Sequence, residues 1–386
     1  MLKYFSADWI FPVSSSPIKN GVVGVNTAGE IQQIFAADEV GNPDIVHLKG
    51  AIVPGFINTH CHLELSHMLG QIPEKTGLVR FVQQIITNRK SDAGQVDLAM
   101  RNADQQMFDN GIVAVGDISN QIVSKTIKQS SKIYYHTFVE AMGFNPERAL
   151  AIMDYAKGIK EAFSPLPAAV VPHAPYSVST ALFALIDAEA QQDDSLISVH
   201  NQETVDENTF FESKTGGFLG LYQFLGLDIS FFEPTQKTSL KSWLPYAGQQ
   251  KTLLVHNTVS NRSDVEFAKQ INANLYWCLC PQANLYIEDT LPDVTLLEEE
   301  DVKITLGTDS LASNHQLNIL AEMLTLQKYK KIGFEQLLKW ATINGAEFLG
   351  LDKQLGTIEI GKKPGLNLIQ LGEGFVIEND QVTKII

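Results

Sequence analysis

His60 and His62, one residue apart at the end of the run Pro54-Gly55-Phe56-Ile57-Asn58-Thr59, have the type and spacing of a metal-ligand pair. Successive strand residues point to opposite faces, so positions i and i+2 project together and can grip one ion from the end of one strand. Cys61, between them, faces away by the same rule. Three later apolar runs also end in an imidazole or a carboxylate: Ile197-Ser198-Val199-His200, Leu253-Leu254-Val255-His256 and Ile304-Thr305-Leu306-Gly307-Thr308-Asp309. A lone histidine is more often structural than a ligand, but four strand ends of this kind point together to a metal site. Neutral imidazoles with one carboxylate suit Zn²⁺ first, with Fe²⁺ or Mn²⁺ able to share the set, and leave a position open for water. Such an ion lowers the pKa of water from about 15.7 to about 7, which supplies a nucleophile without a serine or a cysteine. Glu203, three residues beyond His200, is placed to carry protons, and both His256 and Asp309 are within reach of the water.

Residues this far apart in sequence meet only if a fold gathers strand ends. From Ile52 onward, apolar strand-like runs alternate with amphipathic helical ones, the pattern of βα units around a parallel sheet. Eight strands are predicted: Ile52 to Ile57, Ile112 to Asp117, Ile133 to Val139, Ala168 to His173, Leu196 to His200, Thr252 to His256, Leu275 to Leu279 and Val302 to Leu306. Helices are expected in the gaps, among them Leu78 to Arg89, Asp97 to Asp109, Pro146 to Phe163, Thr180 to Gln191 and Asp264 to Ile271. Eight such units make an α/β (β/α)₈ TIM-type barrel, whose chemistry collects at the C-terminal ends of the strands. Short β-type runs at residues 21–25, 31–35 and 45–48 return after Leu349 at residues 356–361 and 366–369. The expected organisation is a small β-sandwich domain from residues 1–53 and 351–386 around a catalytic barrel of residues 54–350.

The ordered set Pro54 to His62, Pro172-His173-Ala174-Pro175-Tyr176-Ser177, His200-Asn201-Gln202-Glu203-Thr204, His256, Cys280-Pro281-Gln282-Ala283-Asn284 and Gly307-Thr308-Asp309-Ser310-Leu311-Ala312-Ser313-Asn314 resembles the amidohydrolase superfamily. Within it the set is most similar to the aminohydrolases that deaminate purines, pterins, cytosine and related cyclic amidines. The resemblance runs through the whole barrel and includes the terminal sheet segments. It implies that His60, His62, His200 and Asp309 bind one divalent metal, that Glu203 and His256 work with Asp309 on the hydrolytic water, and that His173 contacts substrate. Tyr176, Asn284 and Ser313 join it as expected substrate-binding residues. Three departures matter. His173 stands where a bridging lysine would support a binuclear centre, so one ion is expected. Ala283 replaces a serine before Asn284, and Ser310 replaces a glycine after Asp309.

Downstream, Leu63-Glu64-Leu65-Ser66 and a helix ending Thr87-Asn88-Arg89 look like the aminodeoxyfutalosine deaminases of menaquinone biosynthesis. That resemblance implies a 6-aminopurine nucleoside carrying a benzoate, with water replacing the exocyclic amine by metal-hydroxide attack and ammonia leaving. Glu64 would then touch substrate, one of Arg80, Arg89 and Arg148 would meet the carboxylate, and Phe81 and Tyr176 could stack the purine. The alternatives are hydrolysis of a ring amide or a chloro-heterocycle at the same site, and a non-catalytic barrel scaffold, a class in which metal ligands are typically lost.

Bulk properties bound the remaining partners. The chain has 386 residues, 44% hydrophobic and 19% charged, enough to bury a large core. A formal net charge of −15 argues against a nucleic-acid polymer, whose phosphates need clustered Lys and Arg, while leaving a small heterocyclic substrate open. No apolar stretch approaches the roughly 18 residues of a membrane span, and the start lacks a basic segment followed by an apolar signal core. A cytoplasmic protein without a membrane partner is expected. Three cysteines, Cys61, Cys278 and Cys280, fit neither a disulfide framework nor a Cys-x-x-Cys zinc site. A homodimer is the default expectation for a symmetric soluble enzyme.

Overall fold

The computed structural model describes residues 2–36 and 44–386. Eight strands form the barrel: β1 (Phe56–Cys61), β2 (Ile112–Ser119), β3 (Tyr134–Ala141), β4 (Ala168–Pro172), β5 (Ile197–Asn201), β6 (Thr252–His256), β7 (Leu275–Leu279) and β8 (Lys303–Leu306). Strands β1 to β4 pair in parallel as one sheet and β5 to β8 as another. The ring closes at two seams. At one, His200 N–H donates to the His173 carbonyl at 2.9 Å; at the other, Thr308 N–H donates to the His60 carbonyl at 3.0 Å beside a Cys61–Asp309 bridge. Both closures fall on residues singled out from sequence.

Strand parity decides what faces the barrel axis. Ile57, Ala114, Phe138, Val171, Leu253, Val255 and Cys278 pack together inside, whereas Phe56, Val115, Val139, Val170, Leu254 and Trp277 pack against the surrounding helices. Cys61 belongs to the outer layer, so His60 and His62 share the inner face. Being buried on both faces, the strands carry unbroken apolar runs, as expected for parallel sheets.

Seven strands from the two ends of the chain, Lys3–Ile10, Ile18–Lys19, Val22–Val25, Ile31–Phe35, Ile45–Pro54, Leu366–Ile369 and Thr383–Lys384, are joined by hydrogen bonds into one sheet. Two sequence expectations need correction here. The run from Ile52 to Ile57 is not one strand: Ala51 to Pro54 pairs with Leu366–Ile369 in the terminal sheet, and the barrel strand starts at Phe56. Gly55 makes the crossing, where a Cβ would fall 2.3 Å from Val113 Cγ1 and 2.6 Å from the Pro364 carbonyl oxygen. Residues 356–361 form no strand, because Gly356 (φ +86°) and Gly361 (φ +90°) break the extended path. They still dock on the sheet, with Ile358 N–H donating to Pro12 and Gly361 N–H to Ile31.

Helices Leu78–Asn88, Ala93–Asp109, Ala149–Ala162, Thr180–Asp193 and Arg262–Ile271 occupy the expected gaps. Three more, Val205–Ser213, Phe218–Leu225 and Ser239–Trp243, lie between β5 and β6. Phe218–Leu225 packs against Leu78–Asn88, and together they roof one end of the barrel. Among the described residues, no helix is long and apolar enough to cross a membrane.

Candidate active site

The ends of β1, β5 and β8 bring His60, His62, His200 and Asp309 into one group able to hold a metal ion, with ligand atoms all within 4.8 Å of one another. His62 Nε2 lies 3.1 Å from His60 Nε2 and 3.3 Å from His200 Nε2, and Asp309 Oδ1 is 3.2 Å from His62 Nε2 and 3.5 Å from His60 Nε2. Two ligands each about 2.0–2.1 Å from a tetrahedral ion stand about 3.3 Å apart, so the donor spacing matches such an ion. The His200 Nδ1–H donates to the His173 carbonyl at 2.7 Å, which leaves Nε2 as the ligating nitrogen.

Electrostatics agree with that chemistry. Burial lowers the pKa of His62 and His200 to about 4 and lowers that of His60, keeping the imidazoles neutral as ligands must be. Burial alone would raise Asp309, but His60, His62 and His256 around it outweigh that and hold its carboxyl well below the usual range. Glu203 moves the other way: burial, with Asp309 and Glu207 nearby, pushes it well above the ordinary glutamate value. Two buried carboxyls in one pocket are thereby pushed in opposite directions, the division of labour that general acid–base chemistry needs. Glu203 Oε1 sits 3.7 Å from His256 Nε2.

Backbone strain gathers at the same place. His256 (φ +76°), Asn257 (φ +57°), Asp309 (φ +57°) and Gln202 (φ +47°) are non-glycine residues in left-handed conformations at or next to strand ends, each costing about 1–3 kcal/mol. Local bonds hold them there. Asn257 Nδ2 donates to the Leu254 carbonyl at 2.8 Å, Ser260 Oγ bonds Gln202 Oε1 at 2.6 Å, and Glu207 accepts the N–H groups of Gln202 (3.0 Å) and Glu203 (3.2 Å). Glu207 thus sets the orientation of the acid four residues before it.

The cavity above this group is lined at its base by His62, His200, Glu203, His256 and Asp309, on its wall by Glu140, His173 and Tyr176, and at its mouth by one stripe of the Leu78–Asn88 helix: Leu78, Phe81, Val82, Ile85 and Ile86, followed by Arg89. Of the three arginines considered from sequence, Arg89 lines the cavity and Arg80 and Arg148 do not. Its guanidinium makes no ion pair among the described residues, and it also borders an adjoining cavity that Lys90 and Gln121 share.

Not every expected substrate contact lines this cavity. Glu64 accepts the backbone N–H groups of Asn120 and Gln121, both at 3.1 Å, and faces the adjoining cavity; a buried carboxylate answers those two amides rather than a ligand. Asn284 lies behind His256, with Nδ2 3.3 Å from Nδ1 and 2.9 Å from Thr258 Oγ1. Ser313 donates to Asp309 Oδ2 from the side away from the cavity. Each supports a residue of the reaction centre. Glu140 and Asn120, by contrast, line the cavity and were missed. The predicted third strand stops at Val139; the observed one runs to Ala141, and its alternation Tyr134, His136, Phe138, Glu140 carries the acid to the inner lip of the barrel.

Comparison with known proteins follows this geometry. The amidohydrolase family model matches residues 51–385. The chain belongs to the amidohydrolase family. Among relatives of this amidohydrolase, an adenosine deaminase of Helicobacter pylori is 26% identical over 345 residues, covering 86% of this chain and 83% of its own. An aminodeoxyfutalosine deaminase of Nitratiruptor sp. is 26% identical over 351 residues, covering 87% and 82%. The fold of this amidohydrolase is that of the crystal structure of Helicobacter pylori aminofutalosine deaminase in complex with methylthio-coformycin, with a TM-score of 0.81 and 23% identity over 97% of this chain and 93% of that one.

Proposed function

We propose that this amidohydrolase is a hydrolytic deaminase of a 6-aminopurine nucleoside, with Zn²⁺ as its ion. The observation that carries the reading is the meeting of His60, His62, His200 and Asp309 with a buried Glu203, its carboxyl pushed well above the ordinary range, at the floor of one cavity. A divalent ion held by those four side chains supplies Lewis acidity that brings the pKa of water to about 7. Asp309 takes a proton from the attacking water. Glu203 gives its proton to the ring nitrogen beside the reacting carbon as the C–O bond forms and the ring C=N bond becomes single; the proton held by Asp309 then passes to the exocyclic amine and Glu203 takes back the proton of the new hydroxyl, so that the exocyclic C–N bond breaks and ammonia departs. His256 orients the exchanged oxygen through its Nε2, with Asn284 behind it. Phe81 and Tyr176 flank the purine, and the apolar stripe ending at Arg89 takes the group attached at the 5′ position.

An unpaired guanidinium at the end of an apolar stripe favours a substrate with an apolar, anion-tipped 5′ extension. Aminodeoxyfutalosine has that form, and its turnover would place the enzyme in menaquinone biosynthesis, in the cytoplasm. Homodimerisation belongs to the same proposal and is read by light scattering. The deciding experiment is ammonia release by Zn²⁺-loaded enzyme from adenosine, 5′-methylthioadenosine, S-adenosylhomocysteine, aminodeoxyfutalosine, guanine and a pterin. Arg89→Ala should lower kcat/KM for the anionic nucleoside by about 10- to 100-fold, as expected for one charged hydrogen bond, and leave adenosine within about twofold. Release from guanine or the pterin alone would reject the nucleoside reading.

A further inference from the structure

The least satisfied group at the lip of the barrel is Glu140. Its side chain is 3% exposed, Asn120 Nδ2 donates to Oε2 at 3.1 Å, and Oε1 has no hydrogen-bond partner. A buried carboxylate with an idle oxygen is costly unless positive charge lies close by. No lysine or arginine pairs with it among the described residues; Oε1 instead faces His200 Nδ1 at 3.5 Å, on the side of the ring away from His60 and His62. The Nδ1–H already donates to the His173 carbonyl at 2.7 Å, so Glu140 adds charge rather than a second full hydrogen bond. His60 has no such support, since its Nδ1 is buried without a partner. Of the three imidazoles of the metal-binding group, His200 is the one that pairs with Glu140, whose charge also reaches His62, and Asn120 keeps that anion in place.

We propose that Glu140 is a positioning residue for the metal, acting through His200: its carboxylate polarises the imidazole so that Nε2 binds more strongly, and it supplies, beside Asp309, the second negative charge that a divalent ion needs for neutrality in a dry pocket. The inference rests on the proposed metal site. A binuclear alternative, with Glu140, His173 and His200 holding a second ion, is disfavoured because His200 would have to serve two cations while its Nδ1–H is engaged by a backbone carbonyl.

The test is a Zn²⁺ competition titration of the apo protein against a chromophoric chelator, with the apo protein's thermal melt recorded alongside. Glu140→Gln keeps the shape and removes the charge; it should weaken Zn²⁺ binding by about 10- to 100-fold, the usual effect of losing an outer carboxylate behind a ligating histidine. Its apo melting temperature should equal or exceed the wild type's, because an uncompensated buried charge is removed, and KM at saturating Zn²⁺ should stay within about twofold. Asn120→Ala, which frees the carboxylate without removing it, should weaken binding in the same direction by less, and it decides the matter if Glu140→Gln fails to fold. Unchanged affinity with a raised KM would overturn the proposal and assign Glu140 to substrate. Binding of two equivalents by wild type, with one lost in Glu140→Gln, would also overturn it. If wild type itself takes up no ion, the metal reading fails, a result distinct from either.

Discussion

The two ends of the barrel are built from the same strands and differ in almost every chemical respect. At the C-terminal end a cavity of about 150 Å³ is enclosed by neutral imidazoles, opposed carboxyls and backbone held in left-handed conformations. At the N-terminal end a larger cavity, about 520 Å³, is lined by Tyr134, His136, Asp193, Asp194, Lys251 and Leu349. The lower cavity has one half-buried imidazole, His136, whose Nε2 is buried without a partner and whose pKa is lowered by desolvation to about 4, but no group of side chains there converges on an ion among the described residues. Volume therefore does not mark the reaction centre of this fold. Opposed ionisation, strain and convergence do.

Buried acids sharpen the contrast. Around the upper rim Asp117 accepts the Leu63 N–H, Glu64 those of Asn120 and Gln121, Glu207 those of Gln202 and Glu203, and Glu322 that of Gln282 together with the Asn314 amide. Each ties a loop beyond one strand to a neighbouring element. Asp117 is itself buried against Lys128 at 2.6 Å. The loops that carry the chemistry are thus fixed by buried acids accepting hydrogen bonds, whereas the polar ties at the lower end are exposed, as between Lys303 and Glu347 at 2.7 Å.

The largest expected effect breaks the upper end. Glu203→Gln should cut kcat by about 10²- to 10⁴-fold, the typical share of a positioned proton donor, with Zn²⁺ content and melting temperature unchanged; near wild-type turnover removes Glu203 from the chemistry. Next comes the acid ring. Burial raises Glu64 and Glu207 to about 7 and Glu322 to about 8, above their value in the unfolded chain. The folded state therefore holds protons that the unfolded state has released, and stability present at pH 4.5 and below should fall as pH rises through 7 to 8. Melting temperatures between pH 5 and 9 should show the decline, and Glu322→Gln should flatten its upper part; a curve rising across that range refutes the assignment. The smallest effect belongs to the lower end. His136→Phe removes an unpartnered buried nitrogen and should leave kcat/KM unchanged, with stability altered by no more than about 1 kcal/mol. A marked loss of activity would mean that the two ends are coupled.

Much of this could be read before any coordinates, for identifiable reasons. The i, i+2 spacing of His60 and His62 on a buried strand admits one geometry, and His200, His256 and Asp309 each close an apolar run, so the eight-strand pattern placed them at one rim. Glu140 escaped because the third strand's end was drawn two residues early, and a single position decides whether an acid faces the axis or the helices. Glu64's bonds to the Asn120 and Gln121 amides could not be foreseen, because a conspicuous acid beside a ligand pair looks the same in sequence whatever it answers. The crossing at Gly55 was hidden inside a continuous apolar run: hydropathy does not register where a strand changes sheets. The helices between β5 and β6 are short, nine, eight and five residues, and offer few turns in which a helical period can be read.

The roof helix hangs from the rim at both ends. Glu288 caps it through the Leu78 N–H at 2.6 Å, and His67 bonds the Arg89 carbonyl at 2.9 Å. None of His60, His62, His200 and Asp309 contributes to those attachments. Replacements along Phe81, Val82, Ile85, Ile86 and Arg89 can therefore alter which molecules are admitted while the reagent beneath stays intact, so that new clientele is within reach of a handful of codon changes.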